Sequence, residues 1–124
     1  MTGEAEIVVR VAAGRVGDAV LRRVVGALGA QADLPIERIQ DAALIVDAIL
    51  GGIGADTVSA VVRRDEGRLE IAIGPLADGE ADRLLNGRVS AEIGPIIESL
   101  ADRVWIDLDR GPCAYMCVTV GPAP

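Results

Sequence analysis

The sequence predicts an α/β domain of the α+β type: a two-layer sandwich in which helices cover one face of a mostly antiparallel sheet. Three observations lead there. Two stretches in the first half carry apolar residues at helical spacing, and two pairs of alternating runs are joined by short turn-forming segments. The apolar residues themselves are almost all aliphatic, with one Trp, one Tyr and no Phe. An amphipathic helix must cover something, and hairpins build antiparallel sheets that can leave one face open. The 124 residues form a single domain, 1–124, with 1–4 and the "GPAP" tail at 121–124 expected to fray.

The elements follow in the order β-α-α-β-β-α-β-β. "AEIVVRV", residues 5–11, is a β-branched run and reads as the first strand. From Gly14 the period lengthens: Val16, Ala19, Val20, Val24 and Leu28 mark a helix that glycines at 26 and 29 weaken, with its end near Ala30. "DLPIERIQ" then offers Asp33 as a cap and Pro35 for a first turn, where a missing N–H costs nothing. Ile36, Ile39, Ala43, Val46, Leu50 and Ile53 make one apolar stripe along this second helix. Its burial contributes roughly 8–12 kcal/mol before entropy, an upper bound because unfolded chains are not fully extended.

"TVSAVVRR", the turn "DEG" and "RLEIAIG" form a hairpin, with Leu69, Ile71 and Ile73 alternating against Arg68, Glu70 and Ala72. A polar loop, "PLADGEADRLLNGR", precedes a third helix that restarts near Ser90 and must hold Pro95 in its first turn. "VWIDLD", "RGPC" and "AYMCVTV" close the chain as a second hairpin. Alternation points Val104, Ile106 and Leu108 at the helices, and Trp105, Asp107 and Asp109 away from them. Tyr115 falls opposite to Met116 and Val118, so Trp105 and Tyr115 share the open face, as plain surface cover or as a contact for a partner or a second copy.

Composition narrows the chemistry. The formal net charge of −7 argues against a nucleic-acid partner, which would require clustered cations. All twelve basic residues are arginines, and the chain has no lysine and no histidine. That removes a P-loop lysine, a Schiff-base lysine, Ser/His and Cys/His nucleophile pairs, and the usual zinc sites. Cys113 and Cys117 lie four apart in a strand, about 13 Å between Cα atoms, too far for a disulfide, and read as reduced thiols filling sheet positions. No run reaches the length of a membrane span, and the first residues are acidic where a signal peptide is basic, so a soluble, cytoplasmic protein is expected.

The stretch "AALIVDAILGGIGAD", residues 42–56, raises the functional question, because Asp47 stands alone in an apolar run with Gly51 and Gly52 after it. Asp47 is either a general base or a polar residue at the helix edge facing the loops. Gly51 and Gly52 read as a left-handed C-cap, the alternative being a helix that continues to Ile53 at about 1 kcal/mol per glycine. Gly94 ahead of a helix is an anion-site signal that a tight turn explains equally well. Arg63 and Arg64 with Asp65 and Glu66 read as solvated hairpin charges.

Taken together, the layout resembles the anti-sigma factor serine kinases of bacteria, which belong to the histidine-kinase-like ATPase (GHKL) superfamily. The resemblance runs over about residues 5–120. "IERIQDAALIVDAILGGI" looks like the family's second helix, "GRLEIAIG" like the strand entering its first glycine motif, and "EIGPIIESLADRVWID" like the second glycine motif with its helix and strand. It implies a Glu on the second helix as base and an Asn four residues later that holds Mg²⁺. Asp47 stands at the first position and Gly51, without a side chain, at the second. The family's Asp-x-Gly-x-Gly, whose Asp reads adenine, corresponds to "AIGPLADGE", with Ile73 or Gly74 in place of that Asp, and Asp78 and Gly79 several residues late. Of the second glycine motif only Gly94 remains, and Pro95 removes the next backbone donor. The Thr that often opens the last strand is missing from "RGPCAYM".

A nucleoside triphosphate brings about four negative charges, which a site must offset with Mg²⁺, helix N-termini or cations. The resemblance therefore implies a histidine-kinase-like ATPase fold whose ATP site is degenerate: Gly51, Gly74, Asp78, Gly79 and Gly94 are vestigial pocket positions, with no metal and no cofactor expected. The function it implies is a non-catalytic or weakly nucleotide-binding regulatory domain that binds a sigma factor, an anti-sigma antagonist or itself, the homodimer forming through the open sheet face with Trp105 and Tyr115. No nucleic-acid or membrane partner is expected. The alternative is an active ATP- and Mg-dependent protein serine/threonine kinase with Asp47 as base.

Overall fold

The computed structural model describes residues 5–12, 14–65, 67–77, 79–80, 93–108 and 114–122. Among them the order is β1 (Ala5–Ala12), α1 (Arg15–Gln31), α2 (Ile36–Gly52), β2 (Thr57–Asp65), β3 (Arg68–Leu76), α3 (Ile93–Leu100), β4 (Arg103–Asp107) and β5 (Ala114–Val120). The strands form one sheet in the order β1-β2-β3-β5-β4, and every neighbouring pair is antiparallel. The expected α+β architecture is therefore present. Glu66, Asp78, Asp109, Cys113 and the start of the third helix near Ser90 lie outside the described residues, as does most of the polar loop.

The core forms where alternation and helical spacing meet. Val58, Ala60 and Val62 of β2, Leu69, Ile71 and Ile73 of β3, and Met116, Val118 and Val120 of β5 are buried against Leu21, Val25 and Leu28 of α1, Ile45, Val46 and Ile49 of α2, and Ile97 of α3. Successive strand residues point to opposite faces, so all three described helices lie on one side of the sheet. Pro95 is the third residue of α3, within the first turn, the part of a helix that tolerates proline.

Both long helices are rotated relative to the expected stripes. On α1 the buried residues are Leu21, Val25 and Leu28, while Val16 is 80% exposed and Val20 lies at the surface. On α2 they are Arg38, Ala42, Ile45, Val46, Ile49 and Leu50, while Ile36 is 69% exposed and Leu44 faces solvent. The two helices approach one another closely. A Cβ on Gly29 would lie 2.8 Å from Ile39 Cγ1, so glycine there lets α1 seat against α2.

Helix ends also depart from expectation. Asp33 does not cap α2. It takes a left-handed backbone conformation (φ 58°) that turns the chain between the helices, with Leu34 N–H donating to Gly29 C=O, and Pro35 occupies the cap position. Gly51 and Gly52 are not a left-handed C-cap either: both are helical, and Ile53, extended, follows with its N–H on Leu50 C=O. Leu108 lies beyond the end of β4 and is 71% exposed rather than facing the helices.

Candidate functional site

Asp47 is on the fourth turn of α2, on the side toward α1 rather than toward the loops. Both of its carboxylate oxygens are engaged by Arg22 of α1: Arg22 Nε donates to Oδ1 at 3.1 Å and Nη2 to Oδ2 at 2.5 Å. The hydrogen bond to Asp47, then its charge, raise the Arg22 guanidinium above the ordinary arginine range, with Asp18 adding to the effect. This fork-on-carboxylate geometry links the two helices at the surface and occupies one acceptor site on each Asp47 oxygen. Gly51, one turn further along α2, faces solvent, and a Cβ placed there would meet nothing within 4 Å.

The remaining expected positions do not converge on Asp47. Ile73 is fully buried in the core. Gly74 belongs to the alternate set of β3 residues, so its missing side chain lies on the face opposite the described helices, across the sheet from α2. A Cβ there would come within 2.8–2.9 Å of three atoms of the Tyr115 ring, so glycine at 74 is what lets that aromatic lie flat on the sheet. Gly79 is exposed with φ 82°, a turn conformation. Gly94 lies in the first turn of α3, and Asp78 is outside the described residues.

Two charged groups that the sequence reading passed over hold opposite ends of α2. Glu80 is 5% exposed; its Oε2 accepts from Gly54 N–H at 2.8 Å and its Oε1 from Ala77 N–H at 2.6 Å. A built-in carboxylate thus ties the loop after α2 to the loop after β3 and occupies two backbone donors that an anionic ligand would need. Arg38 is 2% exposed and fully engaged. Its Nε donates to Gly121 C=O at 2.8 Å, Nη1 to Asp41 Oδ2 at 2.8 Å and to Leu100 C=O at 2.9 Å, and Nη2 to Asp102 Oδ1 at 2.9 Å. Asp102 Oδ2 in turn accepts from Gly121 N–H at 2.7 Å. The arginine therefore fastens α2 to the end of α3 and to both strands of the last hairpin. Spacing alone could have flagged it, since position 38 lies four residues before Ala42 and seven before Ile45 on the buried stripe.

Across the sheet lies the second candidate region. Pairing registers place Val8, Val61, Ala72, Cys117 and Trp105 in one continuous row on the face opposite the described helices. Ala72 and Cys117, in the middle, are buried, while Val8 at the edge is 66% exposed. Trp105 carries the Arg103 guanidinium over its ring, 4.8 Å from the centroid, and Tyr115 lies on the same face, as alternation requires. Arg63, expected as a solvated hairpin charge, is half-buried here and pairs with Glu70.

Among the described residues no group of three or more His, Cys, Asp or Glu side chains is placed to hold a metal ion, and no helix is long and apolar enough to cross a membrane. No family model matches the chain, and no curated protein matches it.

Proposed function

We propose that this chain is a non-catalytic regulatory domain that works by binding proteins, built on the histidine-kinase-like ATPase plan and acting in the manner of an anti-sigma factor. Its candidate partners are a sigma factor, an anti-sigma antagonist and a second copy of itself. One observation carries the reading: at the position where the resemblance puts the general base, both oxygens of Asp47 are taken by Arg22, and one turn later Gly51 offers no atom to a metal. Mg-ATP does not fit such a residue set. Its charge finds neither a lysine nor a metal-holding amide, and Glu80 adds a buried carboxylate beside the loops that would have to open. The apolar row on the sheet face opposite the described helices is of the kind that protein partners use.

Titration with Mg-ATP and Mg-ADP, read by calorimetry and by thermal shift, tests this directly. Unchanged melting is expected up to millimolar nucleotide, because a ligand that binds only the folded state must raise its apparent stability. Micromolar binding would overturn the reading in favour of an ATP-dependent serine/threonine kinase with Asp47 as base. Affinity capture from the source cell completes the test, with a sigma factor or an antagonist protein as the expected catch.

A further inference from the structure

We infer that Glu80 is an internal ligand: its carboxylate fills an oxyanion site made by the backbone N–H groups of Gly54 and Ala77 and closes that site to anions from solution. This autoinhibitory contact deepens the proposed function, resting on it only for the view that the chain does not use nucleotide. The two donors come from separate loops. Gly54 follows the end of α2, and Ala77 follows the end of β3. Their N–H groups nevertheless converge on one planar group, Gly54 N on Oε2 at 2.8 Å and Ala77 N on Oε1 at 2.6 Å. One N–H on each oxygen is an arrangement that holds a carboxylate or a phosphate oxyanion equally well.

Turn closure explains only half of this. Glu80 N–H donates to Ala77 C=O at 3.0 Å while Oε1 accepts from Ala77 N–H, the reciprocal pair that a glutamate makes at a helix start. That pair uses one oxygen. The other reaches Gly54, 26 residues earlier in the chain, and lies against the main chain there: a Cβ on Gly54 would be in van der Waals contact with Oε2, at 3.6 Å.

The setting selects an anion. Glu80 is 5% exposed, and both donors are neutral backbone groups, so the buried charge is held only while both N–H groups point at it. An amide in its place satisfies one donor and turns an NH₂ group toward the other. Gly54 and Ala77 are themselves exposed, so the site lies just beneath the surface.

Glu80→Ala removes one methylene and the carboxylate, a fragment that acetate replaces. Thermal melts of the full chain are compared in sodium acetate, inorganic phosphate, acetamide and sodium chloride, the salts at matched ionic strength. Each reading is the difference from wild type in the same solution, which removes general salt effects. The Glu80→Ala deficit is expected to shrink saturably with acetate or phosphate, by roughly 6 °C at about ten times the dissociation constant. Acetamide, which has the shape of acetate but presents an NH₂ group to one donor, should leave the deficit unchanged. Rescue by either anion supports the inference, and the better of the two names the class of oxyanion. A variant that folds by circular dichroism only when acetate or phosphate is present supports it as well. A deficit equal in all four solutions, a rescue by acetamide as large as that by the anions, or a variant unfolded in every solution overturns it. Rescue of Glu80→Ala together with micromolar Mg-ATP binding by the wild-type chain would leave the inference standing and remove the functional reading. Absence of both would do the reverse.

Discussion

Replacing Arg38 by Met removes a side chain that joins α2, the end of α3 and the last hairpin, at nearly constant volume. Two consequences follow from the geometry. The Gly121 and Leu100 carbonyls each lose a donor, and an orphaned buried acceptor costs about 1–3 kcal/mol. Asp41 and Asp102 lose their counter-charge, and removing one partner of a buried pair costs about 3–5 kcal/mol when the other stays dry. These carboxylates do not stay dry, being 23% and 28% exposed, and Asp102 keeps its bond from Gly121 N–H, so water recovers part of the loss. The net expectation is about 3–4 kcal/mol. With an unfolding entropy of about 2.1 cal/mol/K per residue, 124 residues lose roughly 4 °C of Tm per kcal/mol, hence about 12–16 °C in all. Urea unfolding followed by the fluorescence of Trp105 measures it, with the midpoint falling and the slope unchanged. An Arg38→Met variant within about 1 kcal/mol of wild type would refute the account, because it would mean that water, not Arg38, satisfies those carbonyls.

Three further outcomes are expected. Glu80→Gln keeps one acceptor and turns an NH₂ group toward a backbone N–H, so chemical denaturation should show a loss of about 1–3 kcal/mol. Gly51→Ala, with open space around the new methyl, should stabilise the chain by about 0.5–1 kcal/mol, while Gly29→Ala, set against Ile39, should lose about 1 kcal/mol or more; equal effects in thermal melts would refute the helix contact. The contribution of Arg22 runs with its raised basicity: it is complete below the ordinary arginine range and disappears only as pH climbs through the still higher folded value. The stability difference between wild type and Arg22→Gln should therefore stay level from about pH 7 to pH 10 in denaturation series.

Much of the strand layout was legible in the residues because a strand has a period of two and its core-facing members are β-branched or leucine. Leu69, Ile71 and Ile73 alternate with Arg68 and Glu70, whose charges keep them off the core face, so the face of β3 is determined locally. Helical faces were less determinate. In "IERIQDAALIVDAILGG" apolar residues occupy several sides, and the stripe through Ile36 and Ile39 scores as well as the true one through Ala42, Ile45 and Ile49. An arginine in the buried stripe argued against the correct choice, since the carbonyls and carboxylates that satisfy Arg38 come from residues 100, 102 and 121. The same holds for the candidate site: nothing near Asp47 in the sequence announces Arg22, twenty-five residues earlier.

The sequence by itself determined an aliphatic α+β domain of alternating strands and amphipathic helices, without lysine or histidine chemistry, because composition and period are local properties of the chain. The tertiary structure decided which helix faces are buried, that Asp47 is held by an arginine, that a buried Glu80 joins two loops, and that five strands align their apolar and charged positions into rows. Those outcomes depend on contacts between residues far apart in the chain, whose free energies exist only once the helices have seated on the sheet and displaced water from between them.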